Sequence, residues 1–275
     1  MAYAFRVKPG ETVHLSDYDP HYKGDMKRAD ADKEVVKLNE RLGALQEWLY
    51  AAEHNSVLIV LQGVDTAGKD GTVSHVMASF NPTGCRVESF KVPTPEEAGH
   101  DFLWRVHRVT PLRGSIAIFN RSHYEDVLVA RVHDLIPKEV WEKRYDQINN
   151  FETLLADAGT IVLKFFLYIS KDEQAARLKA REKDADKAWK LSDSDWPEHA
   201  RYDAYVKAYE DVLSRCSTAH APWYVVPADH KWYRNLAVAE AVVATLEEHA
   251  DAWRRDVFER GKRNLAAKAA TTSTP

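Results

Sequence analysis

Residues 58–72 read L-I-V-L-Q-G-V-D-T-A-G-K-D-G-T, and no other stretch restricts the fold so tightly. The apolar run from Val57 to Leu61 has the length and β-branched content of a strand buried inside a parallel sheet. It empties into a loop carrying Gly63, Gly68, Lys69 and Gly71, and a helix is expected after it. Glycines let backbone N–H groups converge on an anion, a helix N-terminus adds the positive end of its dipole, and Lys69 supplies a mobile full charge. The spacing Gly63-x4-Gly68-Lys69 is that of a P-loop, with Asp70 where a Ser or Thr normally holds magnesium. Gly63, Ala67, Gly68, Lys69, Asp70 and Gly71 form the predicted phosphate cradle. An ordinary glycine turn would leave Lys69 and Asp65 unexplained.

The alternation of strand and helix continues down the chain. Further strands are expected at 85–92, 115–119, 160–169 and 222–226, and turns such as Asn81-Pro82-Thr83-Gly84 separate them from helices. Asp32 is expected to cap a helix whose apolar positions are Val36, Leu38, Leu42, Leu45, Leu49 and Tyr50. Pro95 and Glu96 start a helix running through 102–107, and further helices are expected at 124–132, 138–158, 192–214 and 231–250. Ser170, with Glu173 at capping-box spacing, starts another at Lys171. Strands joined by helices give parallel pairing with both faces covered, an α/β three-layer αβα P-loop fold with a five-stranded parallel sheet. With 275 residues, a single domain over 33–258 is expected between a polar extended arm at 1–32 and a frayed tail at 259–275.

Ligands of such sheets bind at the carboxyl ends of the strands. Asp65 there is informative, because a carboxylate inside a loop built for anions is unfavourable unless a cation sits against it. It is the first candidate for a magnesium ligand and for orienting an attacking oxygen. Asn120 ends the third strand and is a second, uncharged metal candidate. Arg121 beside it is expected to clamp phosphate oxygens bidentately. Glu125 and Asp126 are adjacent carboxylates at the sheet mouth, catalytic candidates whose alternative is simple stabilisation of a helix N-terminus. Arg177 and Arg181 share a helical face, and Lys183, Lys187 and Lys190 follow, in a segment of about 171–200 that reads as a helical lid over phosphate. Trp104, Trp189, Trp196 and Trp232 read as packing residues, and His107 and His123 as structural ones.

A net charge of −4 argues against a generally basic nucleic-acid binder. Cys85 and Cys216 show no metal-type pairing and suit a reducing cytoplasm, the expected location. Residues 1–11 lack the apolar stretch of a signal peptide, and no apolar run is long enough for a membrane span, so no membrane association is expected.

Several stretches together resemble the family-2 polyphosphate kinases, class III. They are G-V-D-T-A-G-K-D-G-T at 63–72, N-P-T-G at 81–84, D-F-L-W-R-V-H at 101–107, F-N-R-S-H-Y-E-D-V-L at 119–128, K-F-F-L-Y-I-S-K-D-E-Q at 164–174 and A-P-W-Y-V-V-P-A-D at 221–229. The resemblance implies a thymidylate-kinase-like fold in which inorganic polyphosphate, not ATP, donates a phosphoryl group to a nucleoside mono- or diphosphate. Carried over by position, Asp65 and Lys69 belong to the P-loop site, Asn120 and Arg121 to the second motif, and Arg177 and Arg181 to the lid. Mg2+, with Mn2+ as an alternative, is the expected cofactor, and a homo-oligomer is expected. An ATP-dependent nucleoside monophosphate kinase and a non-enzymatic nucleotide switch stay open beside this reading.

Overall fold

The structure is a computed structural model that describes residues 3–272 except residue 187. Strand β1 (Phe5–Arg6) and helix α1 (Arg28–Ala52) precede the central strand β2 (Ser56–Gln62), whose seven residues are all buried. Helix α2 (Lys69–Met77), strand β3 (Cys85–Ser89), the single turns α3 (Pro95–Ala98) and α4 (Trp104–His107), and strand β4 (Ile116–Asn120) follow. Then come α5 (Glu125–Val132), α6 (Lys138–Asp157), β5 (Thr160–Tyr168), α7 (Lys171–Lys183), α8 (Asp195–Ala200), α9 (Tyr202–Arg215), β6 (Trp223–Pro227) and α10 (Lys231–Thr272). The sheet order is β1-β6-β5-β2-β4-β3, with β2 parallel to both β4 and β5. This places the ends of β2, β4, β5 and β6 on one edge. Helices α1, α2 and α10 pack together, as do α5, α6 and α9, covering the sheet.

The five expected parallel strands are present, and a sixth corrects the count. Phe5 and Arg6 pair antiparallel with Val225 and Tyr224, while Val7, Val13 and Leu15 of the arm are buried. Segment 1–32 is therefore partly a sheet edge that covers β6, not merely an arm. Helix α1 begins at Arg28, with Lys27 as N-cap, so Asp32 lies inside it and makes an exposed pair with Arg28. Its buried stripe is Val35, Leu42, Leu45 and Leu49, whereas Val36 and Tyr50 face solvent. The helix expected from Pro95 through His107 is two separate turns, the first opened by a full capping box between Thr94 and Glu97. Residues 192–214 hold two helices, α8 and α9. Helix α10 runs on to Thr272, so residues 259–272 are helical rather than frayed; 273–275 lie outside the described residues. Among the described residues no helix is long and apolar enough to cross a membrane.

Candidate active site

The loop after β2 is shaped from below as much as by its own glycines. Gly68 has φ +98°, and a Cβ there would stand 1.8 Å from Nη1 of Arg234. A Cβ on Gly63 would meet the Leu167 carbonyl of β5 at 2.8 Å. Both positions therefore need glycine for sterics. Ala67 is fully buried, and its carbonyl accepts from Arg177 Nη1 (3.3 Å) and Arg234 Nη1 (3.1 Å). Lys69 Nζ donates to the Gly63 carbonyl at 2.7 Å and to Val64 at 3.3 Å. Burial, and then the neighbouring Arg121, pushes the Lys69 pKa down, while Asp65, Glu125 and Asp70 pull it up.

Arg121 organises the mouth. It sits at φ +61°, its N–H donating to the Leu61 carbonyl, and this turn sends the guanidinium back over the loop. Nη2 lies 2.7 Å from Asp65 Oδ1, and Nη1 lies 3.3 Å from Glu125 Oε2. Burial disfavours the charge of Arg121, but Glu125 and Asp65 outweigh it and raise its pKa. Burial also raises the Glu125 pKa, against the pull of Arg121 and Lys69.

Asn120 and Asp70 form a separate contact: Asn120 Nδ2 donates to Asp70 Oδ1 at 2.8 Å, and Lys190 Nζ lies 3.5 Å from Asp70 Oδ2. The hydrogen bond from Asn120 is the main cause that holds the Asp70 carboxyl below its ordinary pKa. Asp70 thus ties α2 to β4.

The adjacent carboxylates part company. Glu125 faces a cavity of about 370 Å³, together with Asp65 and Arg121. Asp126 turns the other way, 3.4 Å from both Arg105 Nη2 and Arg144 Nη1, so it anchors α5 to α4 and α6. Leu128, Val129 and Leu135 give the cavity an apolar wall. His133 and Glu198 close it on another side, 3.0 Å apart, with the Tyr205 hydroxyl donating to Glu198 at 2.8 Å.

The lid arginines lie elsewhere than expected. Arg177 donates to the carbonyls of Thr66 (2.9 Å), Ala228 (2.7 Å) and Asp229 (2.9 Å) and pairs with Glu173 (2.7 Å). It is a loop brace. Arg181 binds the Lys190 carbonyl and Asp195, each at 3.3 Å, and neither arginine lines the cavity. Helix α7 is docked: Leu178 is buried, the Ser170 hydroxyl caps its start by accepting from the Glu173 N–H, and Gln174 Nε2 donates to the Asp65 carbonyl at 3.1 Å. Lys183 is exposed, Lys187 lies outside the described residues, and Trp189 is exposed rather than packed.

Beneath the β4–α5 turn lies a fully buried polar cluster. Lys164 Nζ meets Glu152, the Tyr124 hydroxyl (2.9 Å) and the Cys216 carbonyl (2.6 Å), while His123 Nε2 lies 3.2 Å from Glu152 Oε1. Burial alone would raise the Glu152 pKa; Lys164 and His123 outweigh it and lower it. His123 therefore serves packing, as the sequence suggests, and does not reach the cavity.

Gln174, Glu198 and Arg234 were not visible as site residues in the sequence. Of these only Arg234 carries a signal there, a charge set among Tyr233, Leu236, Ala237 and Val238 on the apolar face of a helix. Among the described residues no group of three or more His, Cys, Asp or Glu side chains forms a metal cage. Asp65 and Asn120 would instead suit the sparser manner of Mg2+, which keeps waters and takes one or two carboxylates plus substrate phosphate oxygens. With Nδ2 turned to Asp70, the carbonyl oxygen of Asn120 is the atom able to ligate.

The family model for Polyphosphate kinase 2 matches residues 25–253. An AMP/ADP-polyphosphate phosphotransferase of Meiothermus ruber is 48% identical over 88% of this chain and 92% of its own length. An ADP-polyphosphate phosphotransferase of Rhodopseudomonas palustris is 43% identical, over 88% and 89%. The crystal structure of polyphosphate kinase 2 from Arthrobacter aurescens superposes with a TM-score of 0.84 at 42% identity, covering 88% of each chain.

Proposed function

The chain belongs to the polyphosphate kinase 2 family, and from that premise we propose that it transfers the terminal phosphoryl group of inorganic polyphosphate to nucleoside mono- and diphosphates, AMP to ADP and ADP to ATP. The observation that carries this reading is Arg121, held between Asp65 and Glu125 where the P-loop meets the cavity. Phosphoryl transfer asks mainly for positioning and for cations against the oxygens that carry charge, and this junction supplies both.

In this reading the backbone N–H groups of the loop, the start of α2 and Lys69 hold the donor phosphates. The acceptor enters the cavity with its phosphates toward Arg121 and its nucleoside toward Leu128, Leu135 and the His133–Glu198–Tyr205 group. Arg121 exchanges a carboxylate for phosphate oxygens, and Asp65 orients the attacking oxygen. Mg2+, or Mn2+ in its place, would be held by Asp65 with Asn120 and would offset charge on the phosphates when bound. The proposal extends to a cytoplasmic setting and a homo-oligomer, for which the exposed Phe258 and Leu265 of α10 offer an apolar face. Separating the products of purified protein, Mg2+ and polyphosphate with AMP or ADP in turn tests the acceptor range: both should rise one phosphate level.

A further inference from the structure

Among the described residues, Arg234 is a buried cation without a carboxylate partner. It is 3% exposed, in the first turns of α10, and its guanidinium donates only to neutral groups: the Ala67 carbonyl and, at 3.1 and 2.8 Å, Asn235 Oδ1. Burial and the like charge of Arg177 push its pKa down to about 10, which leaves it charged at neutral pH. Its neighbour Arg177, by contrast, pairs with Glu173. A buried charge without an opposite charge is unfavourable, so an apolar residue in its place relieves a cost, unlike the removal of one partner from a buried ion pair.

The position of Arg234 supplies a reason to keep it. A Cβ on Gly68 would stand 1.8 Å from Nη1, and one on Gly71 3.3 Å from Nη2, so the guanidinium lies directly against the glycine backbone where the loop turns into α2. Bracing the loop is a weak explanation, because Arg177 already donates to Ala67 and Thr66. We propose that Arg234 is the buried counter-charge of the donor, acting through the Gly68–Gly71 backbone on the polyphosphate held above it. The inference rests on polyphosphate being the donor. It makes Arg234 a positioning residue that sets donor affinity through space and leaves the acceptor untouched.

Calorimetric titration of the full chain with inorganic tripolyphosphate, at several salt concentrations, tests this with Arg234→Met, Arg234→Gln and Arg234→Lys. Loss of one charge near a phosphate in a partly buried setting should weaken binding about tenfold or more in the Met and Gln variants. The dependence on salt should become shallower. Arg234→Lys should recover most of the affinity, the KM for ADP should stay near wild type, and ligand-free Arg234→Met should melt no lower than wild type. Gln keeps a donor for Ala67 without charge, so it decides the matter if the Met variant does not fold. Wild-type affinity in the Gln variant, or a Lys variant as weak as Gln, would overturn the inference. A wild-type protein inert with polyphosphate would instead strike the donor reading itself.

Discussion

Arg121 Nη2 lies 2.7 Å from Asp65 Oδ1, joining the end of β4 to the P-loop with both side chains half-buried. The pair sets a carboxylate inside the glycine loop and a cation beside it. Replacing Asp65 with Asn keeps the shape and removes the charge. The expected result is a loss of at least about 10²-fold in kcat, the scale of a key electrostatic group. Circular dichroism and the melting transition should remain close to wild type. Near-normal turnover would reduce Asp65 to a turn residue.

Glu125, on the other arm of Arg121, is expected to discriminate between acceptors. AMP is one phosphate shorter than ADP, so it depends more on charge held at the cavity mouth. In Glu125→Asn, kcat/KM for AMP should fall much further than for ADP, both measured with the same polyphosphate. Equal losses would assign Glu125 to general support of Arg121.

The same residue predicts a pH dependence. Burial raises the Glu125 pKa above its ordinary 4.5, and the ionised form is the one that pairs with Arg121. Activity should therefore fall as pH drops through a value above 4.5, and Glu125→Gln should erase that acid limb. An acid limb unchanged in the variant would assign the titration to another group.

Much of this was legible in residues 58–72 and in the alternation of apolar strands with helices, because a buried parallel strand leaves a continuous apolar run. The loop residues and Arg121–Glu125 come together as expected, since strand ends determine their positions. Strand β1 escaped because two residues, one of them Arg6, carry no periodicity. Arg177 reads as a phosphate ligand in the sequence, which shows charge but not direction, whereas its guanidinium turns inward to loop carbonyls. Asp126 adjoins Glu125 in the sequence, yet on a helix successive residues diverge by about 100°. Arg234 lies far from the loop in sequence, so only the folded chain brings it under Gly68.

The cluster beneath the β4–α5 turn gives a stability prediction. Lys164→Met leaves Glu152 buried without its cation, which should cost roughly 3–5 kcal/mol in urea denaturation. In wild type, Glu152 has a lowered pKa, so its contribution is present above the unfolded-state value and is lost as pH falls through the folded one. Wild-type stability in Lys164→Met would mean that the pair contributes nothing net.

Polyphosphate as the phosphoryl donor sets this protein apart from ATP-dependent kinases of similar fold. The most direct measurement of this is ATP formed from ADP by purified protein with Mg2+ and long-chain polyphosphate as the sole phosphoryl source, beside a parallel reaction of AMP with ATP and no polyphosphate. ATP should accumulate in the first with stoichiometric loss of polyphosphate residues, and little ADP should form in the second. No ATP under any Mg2+ concentration, or AMP phosphorylated by ATP alone at a comparable rate, would contradict it.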